Sequence, residues 1–549
     1  MFKRVICSCR IFAVLCVFVF ISDFAFAGNI IYVDKDATNI NTGSSWERAK
    51  KCLQEALTIA KDGDEIRVAQ GIYKPDESFE SGRFPKIVSS GNRSSTFQLK
   101  SGVTIKGGYA GYGEPDPDAR DIILYETILS GDLDGNDVEV DDPCDLSSES
   151  TRSKNSRHVV KSSSSVDETA ILDGFTITAG YADNSPDSHG GGMYNLGNPK
   201  VISCTFVDNY AYYGGGGVSN SSSNPEFINC IFKNNYSYLW GGGVDCDNNS
   251  NSIFTNCKFN GNNARNGAGA CITTNNSRFI DCSFNNNKTR DNFMSGLGAG
   301  LYTTGKDISL INCTFCFNEA TGSGGGIYNG SANMLLNRCK FIVNTANVGA
   351  GLYNYYAGAV LTGCTFSANS VSGYGAGICN SESDINLTNC VFYRNSGIKG
   401  NALAVNIYTN TKKYGIIKIN NCILWDGGNE IYDGTNSNIT VTYSDIQGSS
   451  GYYGCIDAEP CFVSMGFWDA NDNLYDPNDD FWAEGDYHLK SQAGRFDVNT
   501  QSWVYDEVTS PCIDTGDPLT PVGYEPNPNM GIVNMGIYGG TEQASMSPY

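Results

Sequence analysis

Histidine is almost missing from this chain, with three in 549 residues: His158, His189 and His488. No C-x-x-C pair has histidine partners, so a zinc centre of the usual nitrogen and sulfur kind has no ligand set. Proline is also scarce at 16, while glycine reaches 63 and tyrosine 31. That balance suits strands and turns with little helix, and it is too aromatic for a disordered chain. Basic residues are outnumbered, 37 against 59 acidic, for a net charge of -22. A chain this negative is a poor partner for nucleic acid. After the first 27 residues no apolar run is long enough to span a bilayer.

Those first residues have a pattern of their own. Lys3 and Arg4 precede an apolar run from Ile11 to Ile21, and Ala25-Phe26-Ala27 follows. This is the order of an export signal, so the mature chain is expected to begin at Gly28 and to work outside the cell or on the envelope surface. Losing Lys3, Arg4, Arg10 and Asp23 leaves 34 basic and 58 acidic residues, and a net charge of -24.

Cysteine marks a repeat. Cys204, Cys230, Cys257, Cys282, Cys313, Cys339, Cys364, Cys390 and Cys422 are spaced by 26, 27, 25, 31, 26, 25, 26 and 32 residues. Around the first eight the pattern is C-x-F-x-x-N, with phenylalanine from Phe206 to Phe392 and asparagine from Asn209 to Asn395. Between them recur blocks such as Gly241-Gly242-Gly243-Val244 and Gly324-Gly325-Gly326-Ile327. Alternation of Ile202, Cys204 and Phe206 with Ser203 and Thr205 predicts strands with cysteine and phenylalanine inward. One such strand per coil cannot bury its own apolar face, but coils stacked about 4.8 Å apart bury it against each other. The prediction is an all-β, right-handed parallel β-helix, with inward asparagines forming a ladder and ladder cysteines staying as buried thiols.

The pairing of glycine blocks with F-x-x-N, from Gly190 to Asn395, resembles the repeats of polymorphic outer membrane proteins and of secreted bacterial right-handed β-helix proteins. The resemblance implies a β-helix in a cell-surface setting. Ser510-Pro511-Cys512-Ile513-Asp514-Thr515-Gly516-Asp517, followed by Asn534-Met535-Gly536-Ile537-Tyr538, resembles the C-terminal module called choice-of-anchor Q. No β-barrel pattern follows the repeats.

The chain therefore divides into a signal peptide (1–27), an N-terminal cap with irregular first coils (28–165), regular coils (166–447) and an irregular C-terminal cap (448–549). Trp46, Ala49, Leu53, Ala56, Leu57 and Ala60, preceded by Ser44 or Ser45, predict a short helix plugging the first coil.

Candidate sites are few. Tyr212, Tyr213, Tyr238 and Trp240 occupy the same turn of adjacent coils and are expected to form an aromatic patch for sugar rings or a surface partner. Asp132, Asp134 and Asp137 sit in an oxygen-rich loop, the best calcium candidate, with a second acidic group at Asp469, Asp472, Asp476, Asp479 and Asp480. No other cofactor is indicated. Cys455 and Cys461 are the candidate disulfide, the alternative being two free thiols. His189, beside Asp187 and a glycine block, is similar to the Gly-His-Gly of polygalacturonases but lacks their companion Asp pair. Two functions fit: a monomeric module binding extracellular glycans or surface proteins, or a polysaccharide lyase or glycoside hydrolase. The first needs only a rigid flank with exposed rings. The second needs a carboxylate cluster that the sequence does not display.

Overall fold

The computed structural model describes residues 28–548 apart from 39–40, 82–84, 184–186, 291–294, 332, 406–414, 435–436, 449–450 and 470–480. The expected signal peptide lies outside these residues, as do Asp472, Asp476, Asp479 and Asp480.

The chain winds into a parallel solenoid with three long faces. The first face has 14 strands, running from Ile30–Val33 to Asn438–Thr442. The second has 13, from Gly71–Tyr73 to Asp445–Ile446, and the third has 12, from Phe97–Gln98 to Ile431–Asp433. A five-stranded strip, Tyr181–Ala182 to Lys288–Thr289, lies between the second and third faces. The first and second faces meet at a one-residue corner in left-handed backbone conformation, as at Asn229 (φ 55°), Asn256 (φ 51°), Asn312 (φ 53°) and Arg338 (φ 54°). Asparagine tolerates that conformation better than most residues, which explains its recurrence there. Each glycine block turns the chain onto the third face. Gly215 has φ 69°, and a Cβ on Gly217 would meet the Gly243 carbonyl oxygen of the next coil at 2.6 Å.

The cysteine, phenylalanine and asparagine registers all point inward. Phe206, Phe232, Phe259, Phe284, Phe315, Phe341, Phe366 and Phe392 are fully buried and stack with centroids 4.4 to 5.3 Å apart. Burying each ring is worth roughly 1.5–3 kcal/mol. A second file, Phe227, Phe254 and Phe279, rises from the first face and meets the main file edge to face. The ladder cysteines are free thiols, and those from Cys204 to Cys390 are each directed at a carbonyl of the preceding coil, as Cys257 is at Phe227 O (3.5 Å). Burial holds the Cys204, Cys313 and Cys364 thiols well above their ordinary pKa.

Asparagine links coil to coil. Asn318 Nδ2 donates to Phe284 O of the preceding coil (2.8 Å) and to Asn344 Oδ1 of the next (2.9 Å), and the Asn318 backbone N–H donates to that same oxygen (3.1 Å). The arrangement repeats from Asn209 through Asn369. It ends on a carboxyl: Asn395 donates from its backbone and side chain to Asp426 Oδ1 at 2.7 and 2.9 Å. Glu430 lies beside Asp426 and accepts its backbone N–H (2.9 Å), while Asp426 Oδ2 and Glu430 Oε2 are buried without another partner. Burial and the repulsion of the neighbouring Glu430 carboxyl raise the Asp426 pKa far above its ordinary value, which favours the protonated form of the pair.

The two ends are closed differently. The capping helix starts later than expected, at Leu53–Ile59, because Lys50 is held extended by bonds to Tyr32 O and from Asp34 N, both 2.8 Å. Leu53, Ala56 and Leu57 join the core as expected of a plug. At the other end Cys455 and Cys461 are both free thiols rather than a disulfide. Cys455 instead extends the cysteine register: Cys422 aligns with Ser444, and Ser444 with Cys455, whose Sγ accepts the Ser444 N–H at 3.4 Å. The rest of the C-terminal segment folds back along the second face. Cys512, Ile513 and Met535 pack there against Ile342, Val391 and Ile423. Asn389 Nδ2 donates to Gly536 O (3.0 Å), and Asn421 Oδ1 accepts the Asp517 N–H (2.7 Å).

The ladder terminus gives a test. A carboxyl whose folded pKa lies above its unfolded value favours folding while protonated, and that contribution is lost as pH rises toward the folded pKa. Asp426→Asn keeps the acceptor for Asn395, supplies a donor for Glu430 and cannot ionise. Thermal melts should show it more stable than the parent by about 1–2 kcal/mol at pH 8 and nearly equal to it at pH 4. Equal melting at pH 8 would contradict the raised Asp426 pKa.

Candidate functional site

Sites on a solenoid are built from outward positions that register brings into line. On the third face the outward line runs Tyr194, Ser219, Asp245, Cys271, Tyr302, Tyr328, Tyr353. Tyr302 and Tyr328 stack at 5.1 Å and 12°, because identical rings on adjacent coils meet face to face. The neighbouring five-stranded strip carries a second line, with Tyr181, Tyr210 and Tyr236 at 5.0 and 5.5 Å.

The expected aromatic quartet falls into two groups. Tyr212 and Tyr238 are in register and stack at 5.0 Å and 11°, and Tyr213 meets Tyr212 edge-on at 5.2 Å. Trp240 turns toward the third face instead, reaching Tyr302 two coils on at 5.6 Å. Against the preceding coil the register is unbroken, with Ser237 on Ala211 and Trp240 on Gly214, so no tyrosine stands beside Trp240; the register slips only against the following coil, between Ser237 on Ala264 and Trp240 on Asn266. Tyr213 is 43% exposed, Tyr238 51% and Trp240 37%, leaving three rings open to solvent on two adjacent coils, Tyr238 and Trp240 on one of them.

Between the two ring groups lies a polar patch that the repeat pattern does not single out. His189 stacks on Tyr213 at 5.5 Å and 19°, and Asp247 acts on it electrostatically. Asp245 is 5% exposed although its strand position points outward, since the Gly214 turn of the preceding coil closes over its carboxyl. Burial, reinforced by Asp247, pushes its pKa up to about 8. Asp247 Oδ1 and Ser219 Oγ are buried without hydrogen-bond partners. A carboxyl that is still protonated at neutral pH can donate a proton, which an ordinary surface aspartate cannot. The signal available in the sequence was the alternation Val244-Asp245-Cys246-Asp247 after a glycine block, which puts both aspartates on the outer side of the third face.

The proposed calcium ligands are not brought together. Asp132 accepts the backbone N–H groups of Gly135, Asn136 and Asp137, forming a closed local turn. Asp134 pairs with Lys154 at 3.3 Å, and Asp137 is engaged by Asn155 and Arg152. Among the described residues no group of three carboxylate, histidine or cysteine side chains could hold a metal ion. His158 is buried with Nδ1 on Gly190 O (3.0 Å) and Nε2 without a partner, and burial pushes its pKa down to about 4. His488 is likewise structural, between Asp486 and the Tyr538 ring.

Residues 134–315 match a family described as right handed beta helix region, and residues 469–516 match one described as disaggregatase related. The solenoid is thus a right-handed parallel β-helix. Among solved structures, a pectate lyase is similar over 93% of this chain and 97% of its own, at 12% identity and a TM-score of 0.35. A rhamnogalacturonan lyase is similar over 80% of this chain and 91% of its own, at 12% identity and a TM-score of 0.34. No curated protein sequence matches the chain.

Proposed function

We propose that this is an exported, monomeric β-helix protein that binds extracellular glycans along the flank where the five-stranded strip meets the third face. The observation carrying this reading is the set of open rings of Tyr213, Tyr238 and Trp240, held by backbone register on consecutive coils. Flat rings grip the apolar face of a sugar without charge, which suits a chain with 37 basic residues among 549. Coil spacing of about 4.8 Å lets one extended saccharide touch several rings. The rigid backbone beneath them loses little entropy on binding.

The Tyr213→Ala/Trp240→Ala double variant, compared with the native chain on a glycan array, is the direct test. Glycan binding should fall at least ten-fold while the melting temperature stays within a few degrees, because these rings lie outside the core. Unchanged binding would reassign them to covering the coil flank.

One observation favours a second reading, in which the bound glycan is also cleaved. Asp245, carrying a proton at neutral pH, lies beside Asp247 and between the two ring groups, and glycoside hydrolysis uses a protonated acid paired with a second carboxylate. Release of reducing ends from a bound polysaccharide should then decline above about pH 8, as Asp245 loses its proton, and vanish in Asp245→Asn. Cleavage retained by Asp245→Asn, or none by the parent chain, contradicts this reading.

A further inference from the structure

The C-terminal segment does more than cover the second face. Where Ile537, Tyr538 and the residues after them overhang the coils, they enclose a cavity of about 500 Å³ against the corner that carries Arg338 and Gly363. Volumes in this range hold small organic ligands rather than a bare inorganic ion. Arg338 and Lys340 both line it, on the corner and the following strand of one coil. Among the described residues neither cation has an ion-pair partner, although acidic side chains outnumber basic ones 59 to 37 over the whole chain. The lining contains one carboxylate, Glu542, which is exposed.

Small residues and fixed walls keep the space open. Gly363, at φ 62°, follows Arg338 in the corner line, and a Cβ there would lie 3.6 Å from Arg338 Cγ and 3.7 Å from Ile537 O. A longer side chain would enter the cavity. The opposite wall is fixed by Glu525, whose carboxylate accepts the N–H groups of Asn534 and Gly540, both at 2.8 Å, and by the stacking of Tyr538 on His488. The remaining lining includes Tyr524, Thr365, Thr541 and Gln543, a ring and polar groups suited to hydroxyls.

We infer that this cavity is a second ligand site, separate from the aromatic flank, and that it takes a carboxylated sugar residue. The guanidinium fork of Arg338 and the ammonium of Lys340 would hold the carboxylate, and the tyrosine rings and hydroxyl groups would hold the sugar body. Attraction between exposed charges is screened, so the affinity falls as salt rises.

Glucuronate and glucose differ at one carbon, a carboxylate against a hydroxymethyl, and make a matched pair of probes for calorimetric titration of the full chain. Glucuronate should bind at least ten-fold tighter than glucose, and weaken with added sodium chloride. Arg338→Asn, which places at this corner the residue type found at Asn229, Asn256 and Asn312, and Lys340→Gln should each weaken glucuronate at least five-fold without lowering the melting temperature. The Tyr213→Ala/Trp240→Ala variant should bind it as the parent does, which separates this site from the proposed flank. Equal affinity for the two sugars, no binding of glucuronate at millimolar concentration, binding unaffected by both substitutions, or inorganic phosphate binding as tightly as glucuronate would each overturn the inference.

Discussion

Everything in this molecule is referred to one spacing, the distance of about 4.8 Å between hydrogen-bonded parallel strands. The inward asparagines turn that spacing into a requirement. An amide buried between coils must satisfy its donors and its acceptor, and here each Oδ1 accepts two bonds from the preceding coil while Nδ2 reaches coils on both sides. A coil can vary in length, from 25 to 32 residues between ladder cysteines, only where the extra residues leave this register untouched. The phenylalanine stack and the buried thiols fill the space that the amide line defines. The ladder is also directional, so it needs an end, and the paired carboxyls of Asp426 and Glu430 provide one.

The same register arranges the outside. Residues far apart in sequence become neighbours at strand spacing, so tyrosines repeated at one outward position become continuous stacks on the third face and on the strip. Positions that break the tyrosine repeat carry the polar groups. Regular register sets Gly214 rather than a tyrosine beside Trp240, and Asp245, Asp247 and His189 lie near the rings. At the corner between the first and second faces, the C-terminal segment leaves a cavity beside two cations that have no ion-pair partner among the described residues.

The regular part of the fold was legible because its determinants are local and repeated: cysteine, phenylalanine and asparagine keep fixed offsets, and an alternation of two assigns them inward. Asp426 was not legible as the ladder end, because it follows Cys422 by four residues where the asparagines follow their cysteines by five. The expected pairing of Cys455 with Cys461 rested on export and proximity in sequence, whereas the backbone places Cys455 under Ser444 in the thiol line. The acidic loop at Asp132 resembled a cation site in composition, but composition does not reveal that backbone N–H groups already occupy its lead carboxylate. For the rings, the repeat spacing revealed the shared turn, but Trp240 stands one residue past the position matching Tyr213, in register with Gly214, and reaches Tyr302 instead. The cavity joins residues about 200 positions apart, at Arg338 and Tyr538, and no periodicity links them.

The central claim is that the buried amide line, beyond apolar filling, holds coil to coil. Asn318→Leu tests it, since leucine matches asparagine in shape and adds apolar surface while removing every side-chain ladder bond of residue 318 and leaving only its backbone N–H on Asn344. The Asn287 N–H groups would lose their acceptor, and Phe284 O and Asn344 Oδ1 would each lose a donor. Urea unfolding should show a loss of about 3 kcal/mol or more from these stranded buried groups. Stability equal to or above that of the parent would mean that packing alone orders the coils and that the amide ladder contributes nothing to their cohesion.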